Sequence, residues 1–259
     1  MKTVILCGGR GTRLYPDTEL KPKPLVEIGN YPILWHIMKT YSYYDFNEFI
    51  LALGYKSDDI KNYFLNYHLK SGNIYLDLET GHTEHERKHD EKWKINMIDT
   101  GQNTLTGGRL ARLVSNLKND GTFMLTYGDA VSDINVKDLV KFHKSHGKIA
   151  TVSAVRPAGR FGVMKFDWDR VVEFVEKPQA GEGWINGGFF VFEPEIFNFL
   201  EGDNTVLEGK PMEQLVKDSQ LMAYKHPGFW HCMDTPRDRD NLNEMWSKQQ
   251  AYWKLWEDQ

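Results

Sequence analysis

The amino-acid sequence predicts an α/β protein with a mainly parallel β-sheet. Short apolar runs alternate with segments of helical periodicity through the first half of the chain. Two of these runs, residues 3–7 and residues 122–127, end directly in glycines, where a strand leaves its sheet. With 259 residues, 41% of them hydrophobic, the chain is long enough to bury the core of one large domain.

Each element of the first half is predicted from its own pattern. Residues 32–44 and 57–69 have apolar side chains at helical spacing, and a further helix carries Leu110, Leu113 and Leu117. The polar segment 80–93 is expected to leave the core. The predicted strands are residues 3–7, 48–53, 95–99 and 122–127.

In the second half the regular alternation of strands and helices is lost. A helix is predicted at residues 136–146, and Gly147 stands where a left-handed C-cap is expected. The predicted strands are residues 149–155, 162–166, 171–175 and 188–192.

The last predicted helix follows Thr235, with Thr as N-cap, Pro at the first position and an acid at the third. We expect it to continue toward Trp256, and its aromatic side chains would cap the core or meet another subunit. The predicted organisation is one domain at 1–235 whose two halves meet at about residue 130. A C-terminal helical extension at 236–259 completes it.

Composition excludes several classes of function. A net charge of −4 and a pI near 6.1 argue against nucleic-acid binding, which usually needs a basic face. Two cysteines, Cys7 and Cys232, give neither a disulfide framework nor metal-ligand spacing. Because no signal-peptide core or stretch of 18 apolar residues is visible, we expect a cytoplasmic protein without a membrane partner.

The segment that follows the first predicted strand indicates phosphate binding. Gly8-Gly9-Arg10-Gly11-Thr12-Arg13 offers bare backbone N–H groups and positive charge, although a tight corner is an alternative interpretation of the glycines. The spacing fits neither the dinucleotide-binding nor the Walker A pattern. Lys23 adds a second cation, and Pro22 and Pro24 on either side limit where its ammonium group can lie.

Carboxylates at strand ends predict a divalent cation beside these phosphates. Asp129 follows the strand at 122–127, and ligands collect at the carboxyl ends of strands in open α/β sheets. A carboxylate there suits Mg²⁺, although Asp129 as a cap or turn residue is an alternative on local grounds. Asp133 competes for the metal role, and Asp234 is a second candidate ligand near a turn.

Two further clusters each have a functional and a structural interpretation. Glu176-Lys177-Pro178 places a charged pair after the strand at 171–175, which is otherwise an exposed strand end. Asn186-Gly187-Gly188 offers bare backbone and an amide that suit sugar hydroxyls, or forms a hairpin turn.

Taken together, these residues resemble the sugar nucleotidyltransferase family. The family signature G-x-G-T-R-L-x-P-x-T followed by P-K-P is present from Gly9 to Thr18 and from Pro22 to Pro24. The resemblance extends nearly from end to end, through Tyr127-Gly128-Asp129 and Met233-Asp234-Thr235. One departure is Ala130, which stands where the family pattern has glycine. Its methyl group would tighten the metal loop, so a difference is expected in the geometry of Asp129.

The resemblance implies a Rossmann-like three-layer fold with a mostly parallel mixed sheet. It implies a nucleotide-binding half of about 1–130 and a sugar-binding half of about 131–235. It also implies the reaction, in which a sugar 1-phosphate oxygen attacks the α-phosphorus of a nucleoside triphosphate and releases pyrophosphate. The nucleophile is already an anion, so positioning and charge neutralisation suffice and no general base is needed.

The resemblance assigns the site residues as follows. Arg13, Lys23 and Asp129 are the catalytic residues; Arg13 holds the leaving pyrophosphate, and Asp129 with Asp234 holds Mg²⁺. The nucleotide-binding residues are Leu6, Gly8, Gly9, Gly11, Thr12, Arg13, Lys23, Thr104, Gly108, Arg109 and Gly128. The sugar-phosphate-binding residues are Tyr127, Glu176, Lys177, Asn186 and Gly187.

The resemblance also bears on the choice of substrates. Residues 104–109 resemble the cytosine-reading segment of family members that use CTP, and glucose 1-phosphate is the expected acceptor. UTP or dTTP, another sugar 1-phosphate, and a catalytically silent nucleotide-sugar-binding protein are the alternatives. The aromatic C-terminal helix and the family resemblance together favour a homo-oligomer.

Overall fold

A computed structural model describes residues 1–70, 72–87, 91–157, 163–175 and 183–257 of the chain. The strands are β1 (Lys2–Cys7), β2 (Glu27–Ile28), β3 (Tyr31–Pro32), β4 (Glu48–Leu53), β5 (Gly72–Leu76), β6 (Thr83–Arg87), β7 (Lys94–Asp99), β8 (Phe123–Tyr127), β9 (Ala130–Ser132), β10 (Ala150–Val155), β11 (Val163–Asp167), β12 (Arg170–Val175), β13 (Ile185–Phe192), β14 (Leu221–His226) and β15 (Trp230–Cys232). The α-helices are α1 (Asp17–Leu20), α2 (Ile33–Tyr43), α3 (Ser57–Leu65), α4 (Tyr67–Lys70), α5 (Thr106–Ala111), α6 (Val114–Leu117), α7 (Val136–His146), α8 (Lys210–Lys217) and α9 (Pro236–Ser247). Within the described chain, every helix is too short or too polar to span a lipid bilayer.

One mixed sheet of seven strands organises the molecule, in the order β14-β10-β13-β8-β1-β4-β7. Its strands run parallel except β13, which is antiparallel to both of its neighbours, β8 and β10. The carboxyl ends of β1, β4 and β8 therefore meet at one edge of the sheet. The sheet also joins strands from the predicted nucleotide-binding and sugar-binding halves, because β8 pairs directly with β13.

Helices cover both faces of this sheet and make it the middle of three layers. On one face, Ile5, Leu51 and Met124 pack with α2, α7 and α9. On the other face, Leu6, Ile50 and Leu125 pack with α5, α6 and α8. Burial on both sides explains why the strands are almost continuously apolar. The α/β class and the three-layer arrangement are therefore confirmed.

Some predicted elements have the bounds that the structure gives them, and others differ. The strand at 48–53 and the helix at 136–146 have the predicted bounds, and Gly147 ends the helix with a φ of 63°. The helix expected at 57–69 is divided into α3 and α4. The Asn186-Gly187-Gly188 segment lies inside β13, so the hairpin-turn interpretation is wrong.

The C-terminal segment differs from the prediction after a correct start. Thr235 caps α9 in a capping box with Asp238, and Pro236 is its first residue. The helix ends at Ser247, and Gln249 adopts a left-handed φ of 57°. The prediction of a helix toward Trp256 is therefore wrong. Instead the chain turns back, and Trp253 becomes fully buried in the protein's own core.

His36 in α2 connects this returning segment to the core. Its ring is fully buried; Nε2 donates to the Ile28 carbonyl at 2.9 Å, and Nδ1 accepts from Trp253 Nε1 at 3.3 Å. Both bonds require the neutral ring with its proton on Nε2. Burial, the largest cause, lowers the pKa of His36 to about 4.

This histidine should make the protein less stable in acid. Since the folded pKa lies below the unfolded value, the unfolded chain binds the proton first as pH falls, and stability is lost between about pH 6.5 and about pH 4. We expect the free energy of unfolding to fall by about 2–3 kcal/mol between about pH 7 and about pH 4.5 because of this group. Urea titrations at both pH values measure it. His36→Gln should flatten the dependence, and exposed His82→Gln should leave it intact; an equally steep dependence in His36→Gln would contradict the assignment.

Candidate active site

A cavity of about 360 Å³ opens at the sheet edge where β1 and β8 end. Most of the residues predicted for nucleotide, metal and catalytic roles line it, together with Tyr127, which is predicted to bind the sugar phosphate. They are Leu6, Gly8, Gly9, Gly11, Thr12, Arg13, Lys23, Thr104, Arg109, Tyr127, Gly128, Asp129 and Asp234. Asn186, Gly187 and Gly108 are described but do not line this cavity, and Glu176 and Lys177 lie outside the described residues.

The glycine loop leaves β1 and supplies one wall of the cavity. Gly11 has a left-handed φ of 63°, and its carbonyl accepts from the N–H of Leu14, so the chain turns into a short 3-10 helix. In the described part of the chain, the N–H groups of Gly9, Gly11 and Thr12 donate to no protein acceptor. Free N–H groups on a loop without bulky side chains suit phosphate oxygens.

Beside this loop, one ammonium group contacts two carboxylates. Lys23 Nζ lies 2.6 Å from Asp129 Oδ2 and 2.6 Å from Asp234 Oδ1. Burial acts to lower the pKa of Lys23, but the two carboxylates outweigh it and hold the pKa above its usual value. Burial likewise acts to raise the pKa of Asp234, but Lys23 and Arg13 hold it below its usual value. Lys23 and Asp234 are therefore both charged at neutral pH.

A short antiparallel pair of strands brings these distant carboxylates together. Asp129 follows β8, and Asp234 follows β15, which pairs with β9. The Met233 N–H donates to the Asp129 carbonyl at 2.8 Å and continues that pairing up to the site. The carboxylates therefore have fixed positions at the cavity wall.

Comparison with known proteins agrees with this geometry. A family model described as nucleotidyl transferase matches residues 2–254. The chain belongs to the nucleotidyl transferase family.

Individual proteins show which members of the family this chain is similar to. Glucose-1-phosphate cytidylyltransferases of Salmonella typhi and Salmonella typhimurium are each 46% identical over 257 residues, which is 99% of this chain and 100% of theirs. A solved UDP-glucose pyrophosphorylase complexed with UDP-glucose superposes with a TM-score of 0.69 at 17% identity. It covers 96% of this chain and 98% of its own, and at that identity it shows the fold alone. The predicted resemblance to sugar nucleotidyltransferases is confirmed.

In this nucleotidyl transferase, Arg13 stands at the mouth of the cavity. Its guanidinium contacts Asp234 at 3.2 Å, while 74% of the side chain is exposed. Asp133, the competing metal candidate, instead places Oδ1 2.8 Å from His226 Nε2 and does not line the cavity. The structure thus groups Asp234, rather than Asp133, with Asp129.

Ala130 fits its position in this nucleotidyl transferase without strain. It is 3% exposed, lies in β9 opposite Cys232, and does not have a positive φ. A glycine's conformational freedom is therefore not needed at this position. The Asp129 carboxylate still reaches Lys23 at 2.6 Å, so Ala130 gives no reason to consider the chain catalytically silent.

The segment predicted to contact the base is held in place by a loop that the sequence analysis missed. The N–H of Leu105 donates to the Asp203 carbonyl, and those of Gly107 and Gly108 donate to the Thr205 carbonyl. A Cβ at Gly108 would lie 2.4 Å from the Asp203 carbonyl oxygen, so glycine allows this close approach. Gly108 thus contacts protein where the resemblance implied nucleotide.

Hydrogen bonds join the predicted sugar side to the nucleotide side. The Tyr127 hydroxyl donates to Glu208, Thr106 Oγ1 donates to the same carboxylate at 2.7 Å, and Asn186 Nδ2 lies 3.4 Å from the Tyr127 hydroxyl. Burial, followed by the nearby Glu208 charge, raises the pKa of Tyr127, so its hydroxyl keeps its proton. Glu208 lies in no motif, and no sequence signal could have identified it.

The structure also fixes the backbone next to Asn186. Trp230 Nε1 donates to the Gly187 carbonyl at 2.7 Å. Trp230 belongs to the Pro227-Gly228-Phe229-Trp230 run of the sequence, which the resemblance covered without giving it a role. The contact holds Gly187 at the amino end of β13, beside the carboxyl end of β8.

Proposed function

We propose that this nucleotidyl transferase transfers CMP from CTP to α-D-glucose 1-phosphate, giving CDP-glucose and pyrophosphate. An oxygen of the sugar phosphate attacks the α-phosphorus of CTP. The bond from that phosphorus to the oxygen of the β-phosphate breaks, and pyrophosphate leaves in line with the attack. The observation that carries the proposal is the Lys23 ammonium, held between Asp129 and Asp234 in the same cavity as the unpaired loop N–H groups.

The charged residues supply the electrostatic part of this reaction. The N–H groups of Gly9, Gly11 and Thr12 bind triphosphate oxygens, and Lys23 neutralises charge near the α-phosphorus. Arg13 is exposed at the mouth of the cavity, where its guanidinium can bind the pyrophosphate as it forms and leaves. Such preorganised charges make a general base unnecessary, because the attacking group is already an anion.

The donor set fits a divalent cation such as Mg²⁺. Asp129 and Asp234 direct one oxygen each at a single positive group, and hard carboxylate oxygens are the ligands that Mg²⁺ prefers. One or two carboxylates suffice when substrate phosphates complete the ligand shell. When bound, the cation would neutralise phosphate charge and orient the phosphates. Asp129 and Asp234 would hold it, and Lys23 would turn to the phosphates.

The 46% identical relatives are named cytidylyltransferases, which supports CTP as the nucleotide, and three N–H groups of the base segment agree with that choice. The N–H groups of Leu105, Gly107 and Gly108 are already donated to protein carbonyls, so they cannot serve the O4 acceptor of uracil or thymine. Cytosine presents an amino donor at that position and does not require them. An unpaired buried group costs about 1–3 kcal/mol, which is sufficient for preference.

Glucose 1-phosphate is the acceptor named by the 46% identical relatives, which are matched along their whole length. Asn186 and Gly187, next to Tyr127, offer an amide and backbone groups for its hydroxyls. Glu176 and Lys177 keep their predicted sugar-phosphate roles as part of the proposal.

Two properties stay predictions. The free thiols Cys7 and Cys232 support a cytoplasmic location. The second is a homo-oligomer, which the family resemblance still supports. The aromatic C-terminal residues no longer support it, because residues such as Trp253 pack against the chain's own core.

A matrix of nucleotides and sugar phosphates tests the substrates. With Mg²⁺ present, CTP and glucose 1-phosphate should give the highest kcat/KM in a pyrophosphate-release assay. We expect at least about a tenfold advantage over UTP and dTTP, from one unpaired group at the base. Product mass confirms CDP-glucose. A preference for dTTP would refute the base assignment, and CTP binding without turnover on any sugar phosphate would favour a silent binding protein.

A further inference from the structure

Arg109 is a buried cation whose environment does not match a base-reading residue. It is 4% exposed, and no carboxylate lies within 4 Å of its guanidinium in the described ranges. A buried charge is costly unless hydrogen bonds replace the water that it loses. The acceptors that replace this water therefore indicate its role.

Those acceptors come from the ends of three neighbouring strands, β1, β4 and β7. Each distance joins a terminal guanidinium nitrogen to an oxygen atom. The distances are 3.0 Å to the Gly8 carbonyl, 2.9 Å to the Leu53 carbonyl, 2.8 Å to the Thr100 hydroxyl, 2.8 Å to the Gly101 carbonyl and 3.4 Å to the Gln102 carbonyl. Arg109 thus ties the glycine loop to the two strands beyond it.

Two glycines leave the space that the guanidinium fills. A Cβ at Gly8 would lie 2.1 Å from its Cζ, and a Cβ at Gly54 would lie 2.4 Å from Nη1. Neither glycine has a positive φ, so each is required for space rather than for backbone conformation. With two glycines and its acceptors around it, the guanidinium is fixed beside the loop.

Fixing the Gly8 carbonyl also fixes the next N–H group. That carbonyl accepts from Arg109 and, at 3.2 Å, from the Tyr55 N–H. The Gly8–Gly9 peptide is trans, since Tyr15–Pro16 is the cis bond found in the described chain. In a trans peptide the C=O and the following N–H point in opposite directions. The Gly9 N–H therefore points away from the guanidinium, and Gly9 lines the cavity.

We propose that Arg109 is a positioning residue for the triphosphate: by holding the Gly8 carbonyl, it presents the Gly9 N–H to a phosphate oxygen. Its target is the phosphate chain and not the base, because both of its terminal nitrogens already face protein acceptors. The inference rests on the proposed function only in assuming that a nucleoside triphosphate lies against the glycine loop.

Binding measurements with Arg109→Lys test this role. A lysine cannot reach all of the strand ends, so we expect the Kd for CTP, measured by calorimetry, to rise at least about tenfold. The Kd for inorganic tripolyphosphate, which has no base, should rise by a similar factor. The ratio of CTP to UTP affinity should stay unchanged. Arg112→Lys is the matched control, because Arg112 lies three residues away and pairs with exposed Asp203.

Gly54→Ala provides a second variant that leaves Arg109 itself in place. Its methyl group would displace the guanidinium, and Gly54 itself does not line the cavity. We expect it to weaken tripolyphosphate binding as Arg109→Lys does, and it decides the question if Arg109→Lys does not fold. Normal tripolyphosphate binding in a folded variant, or a changed CTP-to-UTP ratio, would overturn the proposal.

These measurements do not depend on turnover. If the wild-type protein binds CTP but forms no CDP-glucose, the proposed function fails while the role of Arg109 in binding is still measured.

Discussion

Replacing Asp129 by asparagine should lower kcat by about 1,000-fold. The substitution removes one of the two carboxylates that converge on Lys23, and with it one of the two protein ligands proposed for Mg²⁺. The phosphates would then lack a fixed cation, and the Lys23 ammonium would pair with Asp234 alone. The side chain is 31% exposed and nearly isosteric with asparagine, so the fold should persist.

Pyrophosphate release gives kcat, and binding of Mn²⁺ without nucleotide, followed by electron paramagnetic resonance, reports the carboxylate pair directly. Asp133→Asn is the matched control, because Asp133 pairs with His226 and does not line the cavity. It should keep near-normal kcat and Mn²⁺ binding. An Asp129→Asn enzyme with a near-normal rate, or equal losses in both variants, would refute the metal role.

Removing the guanidinium at Arg13 should lower kcat by about 100-fold, with a smaller change in the KM for CTP. Arg13 stands at the cavity mouth, and the proposed reaction develops negative charge on the departing pyrophosphate. A charge that acts mainly on the leaving group affects the transition state more than substrate binding. The side chain is 74% exposed, so Arg13→Ala should leave the melting temperature almost unchanged.

Arg10→Ala provides the comparison within the same loop. Arg10 contacts exposed Asn103 at 3.2 Å and does not line the cavity, so its removal should have little effect on kcat. Arg13→Lys should recover part of the rate, since it restores charge without the planar fork. If Arg13→Ala raised only the KM for CTP, or if both alanine variants lost activity equally, the leaving-group role would be wrong.

Much of the fold could be predicted because buried elements have apolar patterns that are visible within a few neighbouring residues. Strands covered on both faces become continuous apolar runs, as β4 and β8 show. In the C-terminal segment the apolar pattern does not distinguish a helix from a buried turn. Trp246, Trp253 and Trp256 have a spacing compatible with a helix, yet α9 ends at Ser247 and Trp253 packs beside His36 from a turn. Tertiary contacts with a residue more than two hundred positions away decided that outcome.

The candidate site also has parts that could be located from sequence and parts that could not. The glycine loop and the end of β8 could be located from sequence because each follows an apolar strand directly. The bridge between Lys23 and Asp234 spans 211 residues, and no local pattern encodes such a contact. Glu208 and the loop at 203–205 could not be predicted for the same reason. They act through backbone carbonyls and one carboxylate, which any polar loop can supply.

The position of β13 affects how the protein is made. During synthesis, β1, β4, β7 and β8 leave the ribosome early, and β10 follows, but their sheet has a gap until residues 185–192 emerge. Until then β8 and β10 each expose an edge of unpaired backbone N–H and C=O groups, which can pair with strands of other chains. A nascent chain that stalls before β13 is therefore the form most in need of a chaperone. The two sides of the cavity are joined only in the last third of translation.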